Sequence, residues 1–207
     1  MAIKAVVFDI GGVLEYTPRT GWMAKWEKRL GLPEGEISRV LLDSWRGGSI
    51  GTISLETVET DIRETLKLSP ADFVSFMADL WEEYVGSLNV EMTEYFAGLH
   101  DRYQTAIISN SFVGAREREE ELYHFGEMCD LIVYSHEVGT SKPDPRIFEI
   151  CWTQLGIQPD EMVFVDDVEG HIQTARSLGI KGVIFKDNTQ AIAEVEQLLK
   201  EATVERI

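Results

Sequence analysis

Residues 6–14 have the sequence VVFDIGGVL, in which an apolar, β-branched run leads to Asp9. Such a run predicts a strand that is buried on both faces, as in the middle of a parallel sheet. Asp9 lies where this strand should end, and Gly11 and Gly12 then allow the backbone to approach a bound group closely. Open α/β sheets bind ligands at this end of their strands. From this stretch alone, Asp9 as a functional carboxylate and Asp9 as a turn cap remain open alternatives.

The composition narrows the choice of partners. The 207 residues are enough for one α/β domain, or for a domain with an insertion. With 36 acidic and 19 basic residues the formal net charge is −17, which argues against nucleic acid or an anionic membrane as a partner. A small phosphorylated substrate remains compatible, because a local cation can reverse the sign at a site.

Cysteine use and hydropathy predict a cytoplasmic protein. Cys129 and Cys151 lack the spacing of metal ligands, and two cysteines are too few for a disulfide framework. We expect both to be core residues in a reducing cytosol. No apolar run is long enough for a secretory signal or a membrane span.

Residues 21–86 contain no convincing strand and are predicted to be helical. The last of four predicted helices starts at Ser69 and Pro70, an N-cap followed by proline at the first helical position. Four of the five tryptophans lie in this segment, and we expect them to form the core of a small helical bundle, with some lining a pocket as the alternative. The four apolar faces are Trp22, Trp26 and Leu30; Ile37, Val40, Leu41 and Trp45; Leu55, Val58, Ile62 and Leu66; and Phe73, Met77, Leu80, Trp81 and Tyr84.

Strands and helices alternate from Val90 onwards. Apolar runs predict strands at residues 105–108, 131–134, 162–165 and 182–185, with a charged, solvated helix face at 116–121. This alternation implies right-handed crossovers and a mostly parallel sheet. The predicted fold is therefore a Rossmann-like three-layer α/β/α core with a small all-α insertion. Polar residues end three of its strands, at Asp9, at Ser109 and at Asp166–Asp167, so we expect these side chains to converge on one crevice.

Four short phrases occur in a fixed order, at residues 8–14 (FDIGGVL), 107–111 (IISNS), 141–145 (SKPDP) and 164–167 (FVDD). Together they resemble the four motifs of the haloacid dehalogenase-like hydrolase superfamily, and the resemblance covers nearly the whole chain. The helical segment resembles the small cap that one subclass of this superfamily inserts after its first motif. The resemblance thus implies a hydrolase core of residues 1–15 and 90–207 and a cap of residues 16–89.

The resemblance implies a magnesium-dependent phosphomonoester hydrolase that acts on a small phosphorylated metabolite. Asp9 would attack phosphorus and form an aspartyl phosphate, which water then hydrolyses. Mg²⁺ would bind Asp9, the main-chain carbonyl of Gly11, and Asp167, because it prefers a few carboxylate oxygens together with water and substrate phosphate. Asp166 would bind a water ligand of the metal or ligate directly. Without the resemblance, Asp166–Asp167 also fits an N-cap pair for the next helix.

Three further residues complete the implied site. Ser109 would donate its hydroxyl to a phosphate oxygen, with help from the Asn110 backbone amide, and Lys142 would place a positive charge on the nucleophile and the phosphate. Taken singly, Ser109 is typical of a turn and Lys142 of an exposed surface. His171 is interpreted as a structural polar contact, and Glu15, at the junction with the cap, is within possible reach of the cleft.

The sequence departs from the family pattern at Gly11. Most phosphatases of the superfamily carry a second aspartate there, which protonates the leaving oxygen and then activates water. Three alternatives follow: a phosphatase that uses another acid, a 2-haloacid dehalogenase, whose halide needs no proton, or a weakly active protein that binds a phosphorylated ligand or a protein partner. The pair Asp166–Asp167 favours the magnesium phosphatase, because a metal-independent dehalogenase has no use for two acids there. A sugar phosphate is the default substrate by analogy only.

Overall fold

A computed structural model describes residues 2–204 of the chain. The strands, in chain order, are β1 (Ala5–Phe8), β2 (Glu15–Tyr16), β3 (Ser87–Leu88), β4 (Gln104–Ser109), β5 (Leu131–Tyr134), β6 (Met162–Asp166) and β7 (Lys181–Ile184). Five of them form one sheet in the order β5-β4-β1-β6-β7, with all neighbours parallel. The strand that leads to Asp9 is therefore central, as predicted, and the predicted strands are observed within one residue of their expected ends.

Helices cover both faces of this sheet and also form a separate helical segment. They are α1 (Trp22–Leu30), α2 (Glu36–Val40), α3 (Leu42–Ser49), α4 (Leu55–Thr65), α5 (Pro70–Val85), α6 (Val90–Leu99), α7 (Ala115–Tyr123), α8 (Ser135–Val138), α9 (Pro145–Leu155), α10 (Glu169–Ser177) and α11 (Asn188–Val204). No helix within residues 2–204 has both the length and the apolar character needed to cross a membrane.

The central strand shows how the three layers form. Successive side chains of a strand point to opposite faces. Val6 and Phe8 accordingly pack with residues of α6 and α11, while Val7 packs on the other face with residues of α9 and α10. All three side chains are fully buried, so the strand is apolar throughout. This arrangement confirms the predicted α/β/α core. Cys151 is buried in it, whereas Cys129 is only partly buried, and both are free thiols.

The helical segment has its own apolar core. Trp22 packs edge-on against Phe76, with ring centroids 5.0 Å apart, and Trp26 is fully buried beside them. The helix starts follow from local chemistry, because the side chains of Ser54 and Ser69 accept hydrogen bonds from backbone amides three residues further on. The tryptophans of this segment therefore form a bundle core, as predicted.

One predicted helix is divided in two. The apolar pattern from Ile37 to Trp45 predicts a single helix, but the backbone of Leu41 leaves the helical region, with φ −103° and ψ 13°, between α2 and α3. Ile37 and Leu41 both remain buried in the same cluster across this bend. Periodicity alone does not reveal such a bend, because tertiary packing selects it.

A short antiparallel ribbon joins the two ends of the helical segment to each other. In it β2 pairs with β3, and Glu15 lies opposite Leu88. The predicted core of residues 1–15 and 90–207 includes residue 1 and residues 205–207, which lie outside the described residues. Its division from a cap of residues 16–89 stays a prediction.

Candidate active site

Two acidic residues lie side by side at the carboxyl ends of neighbouring strands. Asp166 is the last residue of β6, and Asp9 directly follows β1, whose Phe8 is in register with Val165. The Asp9 amide donates to the Val165 carbonyl at 2.9 Å, which extends the strand pairing to the site. Asp9 and Asp166 are both buried. The parallel sheet thus brings together two carboxyl groups that are 157 positions apart in the numbering of the chain.

Lys142 bridges these two carboxylates. Its Nζ lies 2.7 Å from Asp9 Oδ1 and 2.8 Å from Asp166 Oδ2, and it also donates to the carbonyl of Ile108 at 2.8 Å. The side chain of Lys142 is completely buried. The alternative of an exposed surface lysine is therefore wrong. A buried ammonium is stable only when it is paired and hydrogen-bonded, and here all three of its protons have an acceptor.

The loop that carries Lys142 is held by Asn110. The Asn110 side chain donates to the Lys142 carbonyl at 2.8 Å and accepts from the Lys142 amide at 2.7 Å. These two hydrogen bonds hold the loop before α9 against the end of β4. Ser109 is the last residue of β4 and is buried beside the central strand. The predicted phosphate-binding residues thus lie at the same edge of the sheet as Asp9.

Asp166 has hydrogen-bond partners on both oxygens. Oδ1 accepts from the Val168 amide at 2.8 Å and lies 2.9 Å from His171 Nδ1, while Oδ2 accepts from Lys142. Burial alone would raise the pKa of Asp166, but the bonds from His171 and Lys142 outweigh it and hold this pKa below its usual range. His171 is therefore a structural contact of the site, as interpreted from the sequence.

The pKa of Asp9 shifts in the opposite direction. Burial raises it above the usual range, Lys142 opposes the rise, and the neighbouring Asp166 adds to it. The single positive charge of Lys142 is shared between two carboxylates, and each also accepts a backbone amide, that of Ile10 at Asp9 and that of Val168 at Asp166, but only Asp166 has the further contact with His171. The difference in hydrogen bonding explains why two adjacent aspartates have opposite shifts.

Asp167 supplies a third carboxyl group, and this residue is exposed. Burial and the neighbouring Asp166 raise its pKa. It lies directly over Gly12, where φ is +75° and where an added Cβ would be 2.4 Å from Asp167 Oδ2. A side chain at position 12 would therefore displace this carboxylate. Only glycine fits here, both because of the positive φ and because of the space.

The donor set fits a hard divalent cation. The site contains three carboxyl groups but only one lysine and one histidine. If all three carboxyl groups are ionised, the net charge of these five side chains is negative even with both basic groups charged. Among the described residues, ligand atoms of Asp9, Asp166 and His171 lie within 4.8 Å of one another, and Asp167 is outside this group. Carboxylate and carbonyl oxygens are the ligands that Mg²⁺ prefers.

A cavity of about 330 Å³ adjoins the strand ends. One wall comes from the core and the other from α1 and α5 of the helical segment. It is lined by Gly11, Glu15, Thr17, Trp22, Met23, Leu80, Glu83, Tyr84, Ser109, Asn110 and Glu119. Trp22 thus serves both the bundle core and the cavity wall, so both interpretations of the tryptophans hold for this residue.

Two buried glutamates face this cavity. Glu15 is 2% exposed, and its Oε2 has no hydrogen-bond partner within the described residues. Burial, together with the nearby Glu119 and Asp9, raises the pKa of Glu15 to about 9. Glu119 is also buried and accepts a hydrogen bond from the Tyr134 hydroxyl at 2.5 Å. Burial raises the pKa of Glu119 to about 7, although the bond from Tyr134 lowers it.

Glu119 corrects one prediction and Glu15 supports another. The stretch 116–121 was expected to be a solvated face, but Glu119 points inward. A signal was present, since Ala115 and Glu119 are four residues apart on one face of α7 and both are buried. Because every residue from 116 to 121 is charged, the sequence pattern does not distinguish this buried face from the exposed ones. Glu15 reaches the cavity, as its position at the junction suggested.

The comparison with known families agrees with this geometry. The model of the haloacid dehalogenase-like hydrolases matches residues 3–179. The chain belongs to this family. The expected resemblance is thereby confirmed.

Several known proteins resemble this hydrolase over most of its length. It is 32% identical to mouse acyl-CoA dehydrogenase family member 10 over 95% of this chain, but it spans only 19% of that protein. It is 26% identical to D-ribitol-5-phosphate phosphatase of Bacteroides thetaiotaomicron, over 86% of this chain and 90% of that one. A HAD family enzyme of the same bacterium, solved with magnesium and inorganic phosphate, superimposes with a TM-score of 0.76 at 22% identity, covering 89% and 95% of the two chains.

Proposed function

We propose that this hydrolase removes phosphate from a small phosphorylated metabolite with the help of Mg²⁺. The observation that carries the proposal is the buried Asp9–Lys142–Asp166 ion triple, with the third carboxylate of Asp167 beside it. A nucleophilic carboxylate can approach an anionic phosphate only if positive charge screens the two from each other. The similarity to a named phosphatase over most of both chains supports the same reaction class.

In this proposal Asp9 is the nucleophile. One of its oxygens attacks phosphorus, the leaving alcohol departs with the electrons of the P–O bond, and an aspartyl phosphate forms that water then hydrolyses. Lys142 fixes the orientation of Asp9 through the 2.7 Å contact and places positive charge beside the phosphate. Asp166 positions Lys142 in turn.

Asp9, Asp167 and the main-chain carbonyl of Gly11 would hold the metal. Asp166 is a weaker candidate for direct ligation, because Lys142, His171 and a backbone amide already occupy its oxygens. We therefore propose that Asp166 does not bind the metal directly. Bound Mg²⁺ would supply charge neutralisation for the phosphate and for the transition state.

Ser109 and Asn110 would bind the phosphate itself. Ser109 is buried at the end of β4 and lines the cavity, so its hydroxyl is available to a phosphate oxygen. The Asn110 side chain is engaged by the Lys142 backbone, which leaves its backbone amide for the phosphate. Both donors would act in a site from which water is partly excluded.

The helical segment 16–89 would act as the cap. Its residues Trp22, Met23 and Leu80 form one wall of the cavity, so they contact whatever part of the substrate extends beyond the phosphate. Closure of such a segment excludes water and selects the substrate. We infer that the substrate is a small phosphorylated metabolite handled in the cytoplasm.

The test is phosphate release from p-nitrophenyl phosphate, with and without Mg²⁺, by wild type and by Asp9→Asn. We expect magnesium-dependent release that falls by roughly 10³-fold or more in the variant, because an amide is not a nucleophile of comparable strength. A thermal melt of both proteins checks that the variant is folded. Full activity of Asp9→Asn would refute the assignment of the nucleophile.

The lack of a side chain at Gly11 is also compatible with a second function, that of a 2-haloacid dehalogenase. A 2-haloacid dehalogenase also uses an aspartate nucleophile and needs no proton for its leaving group. Halide release from 2-chloropropionate, measured beside the phosphatase assay, distinguishes the two. Halide release that ignores added Mg²⁺, together with no phosphate release from any ester, would replace the phosphatase proposal by dehalogenation.

A further inference from the structure

The proposed reaction requires a proton that no residue assigned so far supplies. When the P–O bond of an alkyl phosphate breaks, the leaving oxygen carries the electron pair as an alkoxide unless an acid protonates it. Gly11 has no side chain, and Lys142 is committed to two carboxylates and a carbonyl. The acid must therefore come from elsewhere in the cavity.

Four titratable side chains line the cavity, and three of them are already engaged. Glu83 lies toward the rim and accepts bonds from both the amide and the hydroxyl of Thr20. Glu119 accepts from the Tyr134 hydroxyl, and Tyr84 is hydrogen-bonded to the backbone of Phe112.

Glu15 is the fourth. Its Oε2 has no partner within residues 2–204, although the residue is 2% exposed. A buried polar atom without a protein partner is costly, so Glu15 Oε2 is open to a hydrogen bond with a molecule that enters the cavity.

The backbone places Glu15 beside Gly11. The Glu15 amide donates to the Ile10 carbonyl at 3.0 Å, and its own carbonyl accepts from the Gly12 amide at 2.9 Å. These two bonds lie on either side of Gly11 in the sequence. Gly11 and Glu15 also line the same cavity. The backbone of Glu15 is therefore paired with the turn that contains Gly11, and its carboxyl group faces the cavity that Gly11 also lines.

We propose that Glu15 is the general acid and base of the reaction, an inference that rests on the proposed phosphatase function. As the oxygen of Asp9 bonds to phosphorus and the ester P–O bond breaks, the Glu15 carboxyl transfers its proton to the leaving oxygen and an alcohol departs. The Glu15 carboxylate then takes a proton from the water that attacks the aspartyl phosphate. The P–O bond to Asp9 breaks, its electrons return to the Asp9 carboxylate, and inorganic phosphate leaves.

The space around Gly11 provides a sharp control. An added Cβ there would meet only Thr17 Oγ1, at 3.7 Å, which is ordinary van der Waals contact, and the φ of Gly11 is not in the left-handed region. The absence of a side chain is therefore not forced by crowding. The variant Gly11→Asp can add a second carboxyl group to the cavity that Glu15 lines.

The experiment measures kcat for wild type and Glu15→Gln on p-nitrophenyl phosphate and on an alkyl phosphate, at saturating Mg²⁺. General acid catalysis is worth roughly 10²–10⁴-fold, and it matters most when the leaving group is poor. We expect Glu15→Gln to lose at least about 10²-fold on the alkyl ester and less than about 10-fold on the aryl ester. The retained aryl activity shows at the same time that the variant is folded.

Two further variants test the assignment to Glu15. Glu119→Gln removes the other buried glutamate of the cavity, and we expect it to affect both esters equally. In the double variant Gly11→Asp/Glu15→Gln we expect the alkyl ester rate to recover by about 10-fold or more. A selective loss in Glu119→Gln, or equal losses on both esters in Glu15→Gln, would overturn the proposal.

The failure of this inference differs from the failure of the proposed function. If wild type releases no phosphate from either ester, the phosphatase function itself fails. If wild type is active with Mg²⁺ and Glu15→Gln retains its preference between the two esters, only the role of Glu15 fails.

Discussion

The molecule buries two pairs of acids, and it treats them differently. Asp9 and Asp166 lie at strand ends and share the ammonium group of Lys142, and Asp166 has further donors. Glu15 and Glu119 lie across the adjoining cavity, where no ion pair reaches them within the described residues and only the Tyr134 hydroxyl bonds to Glu119. In the first pair Lys142 opposes the effect of burial on both carboxyl groups and, with the other donors, holds the pKa of Asp166 low. In the second pair no ion pair in the described part of the chain opposes burial, which raises the pKa of both glutamates.

This difference corresponds to two chemical tasks. Binding a phosphate and a divalent cation requires fixed charge of both signs, which the strand-end pair and Lys142 provide. Handling a leaving group requires a proton close to neutral pH, and burial without a cation keeps a carboxyl protonated there. Acidic residues can therefore have two different tasks in this molecule, because the aspartates lie next to a lysine and the glutamates do not.

The largest expected effect comes from removing the cation of the strand-end pair. Lys142→Met leaves two buried carboxyl groups facing each other, and breaking a buried ion pair in this way costs about 3–5 kcal/mol in the free energy of unfolding. Urea denaturation of the metal-free protein measures the loss. The matched control is Arg146→Met, whose exposed pair with Asp144 should leave the midpoint almost unchanged. A Lys142→Met protein as stable as wild type would show that the pair is not ionic.

A substitution at Gly12 is expected to have an intermediate effect on stability and on Mg²⁺ binding. In Gly12→Ala the new Cβ would be 2.4 Å from Asp167 Oδ2, at a φ of +75°. We expect the carboxylate to shift, with a loss of about 1–2 kcal/mol in stability from the left-handed backbone. Displacing this proposed ligand should weaken Mg²⁺ binding by roughly 10–100-fold.

Calorimetric titration with Mg²⁺ measures that affinity, and Gly156→Ala is the control. Gly156 has a similar φ of +68° and no atom of the described residues within 4 Å of an added Cβ, so this variant should lose similar stability but keep the Mg²⁺ affinity of wild type. Equal Mg²⁺ affinities of the two variants would argue that Asp167 does not hold the metal.

A third expected effect concerns the cavity pair and the dependence of stability on pH. The pKa of Glu15 is raised from 4.5 to about 9, so between these values the folded state holds a proton that the unfolded state releases. Stability must therefore fall as pH rises through this range. Thermal melts of the metal-free protein from pH 5 to 9 should show a shallower decline for Glu15→Gln than for wild type.

Glu83→Gln is the control for that measurement, because it removes a carboxyl group from the cavity rim rather than from its buried wall. It should retain the slope of wild type. Identical slopes for wild type and Glu15→Gln would indicate that Glu15 is ionised in the folded protein, and the contrast between the two acid pairs would then disappear.

The sheet and its strand-end residues could be predicted because each strand has a local sequence signal. An apolar run followed at once by Asp9, Ser109 or Asp166 places a polar side chain at a strand end, and parallel pairing then brings these ends together. The bend at Leu41 and the inward face of Glu119 were not predictable in this way. Each depends on packing against residues far away in the chain, which neither periodicity nor charge pattern records.

The alternation of strands and helices in the core, the family, and the residues at the strand ends could be read from the sequence. The burial and pairing of those residues depend on the folded structure. The fold buries Lys142 between two carboxylates, gives Asp166 a contact with His171 that Asp9 lacks, and leaves Glu15 Oε2 without a hydrogen-bond partner within the described residues. The physical reason is that charge and protonation depend on burial and on neighbours, and these neighbours come from separate parts of the chain.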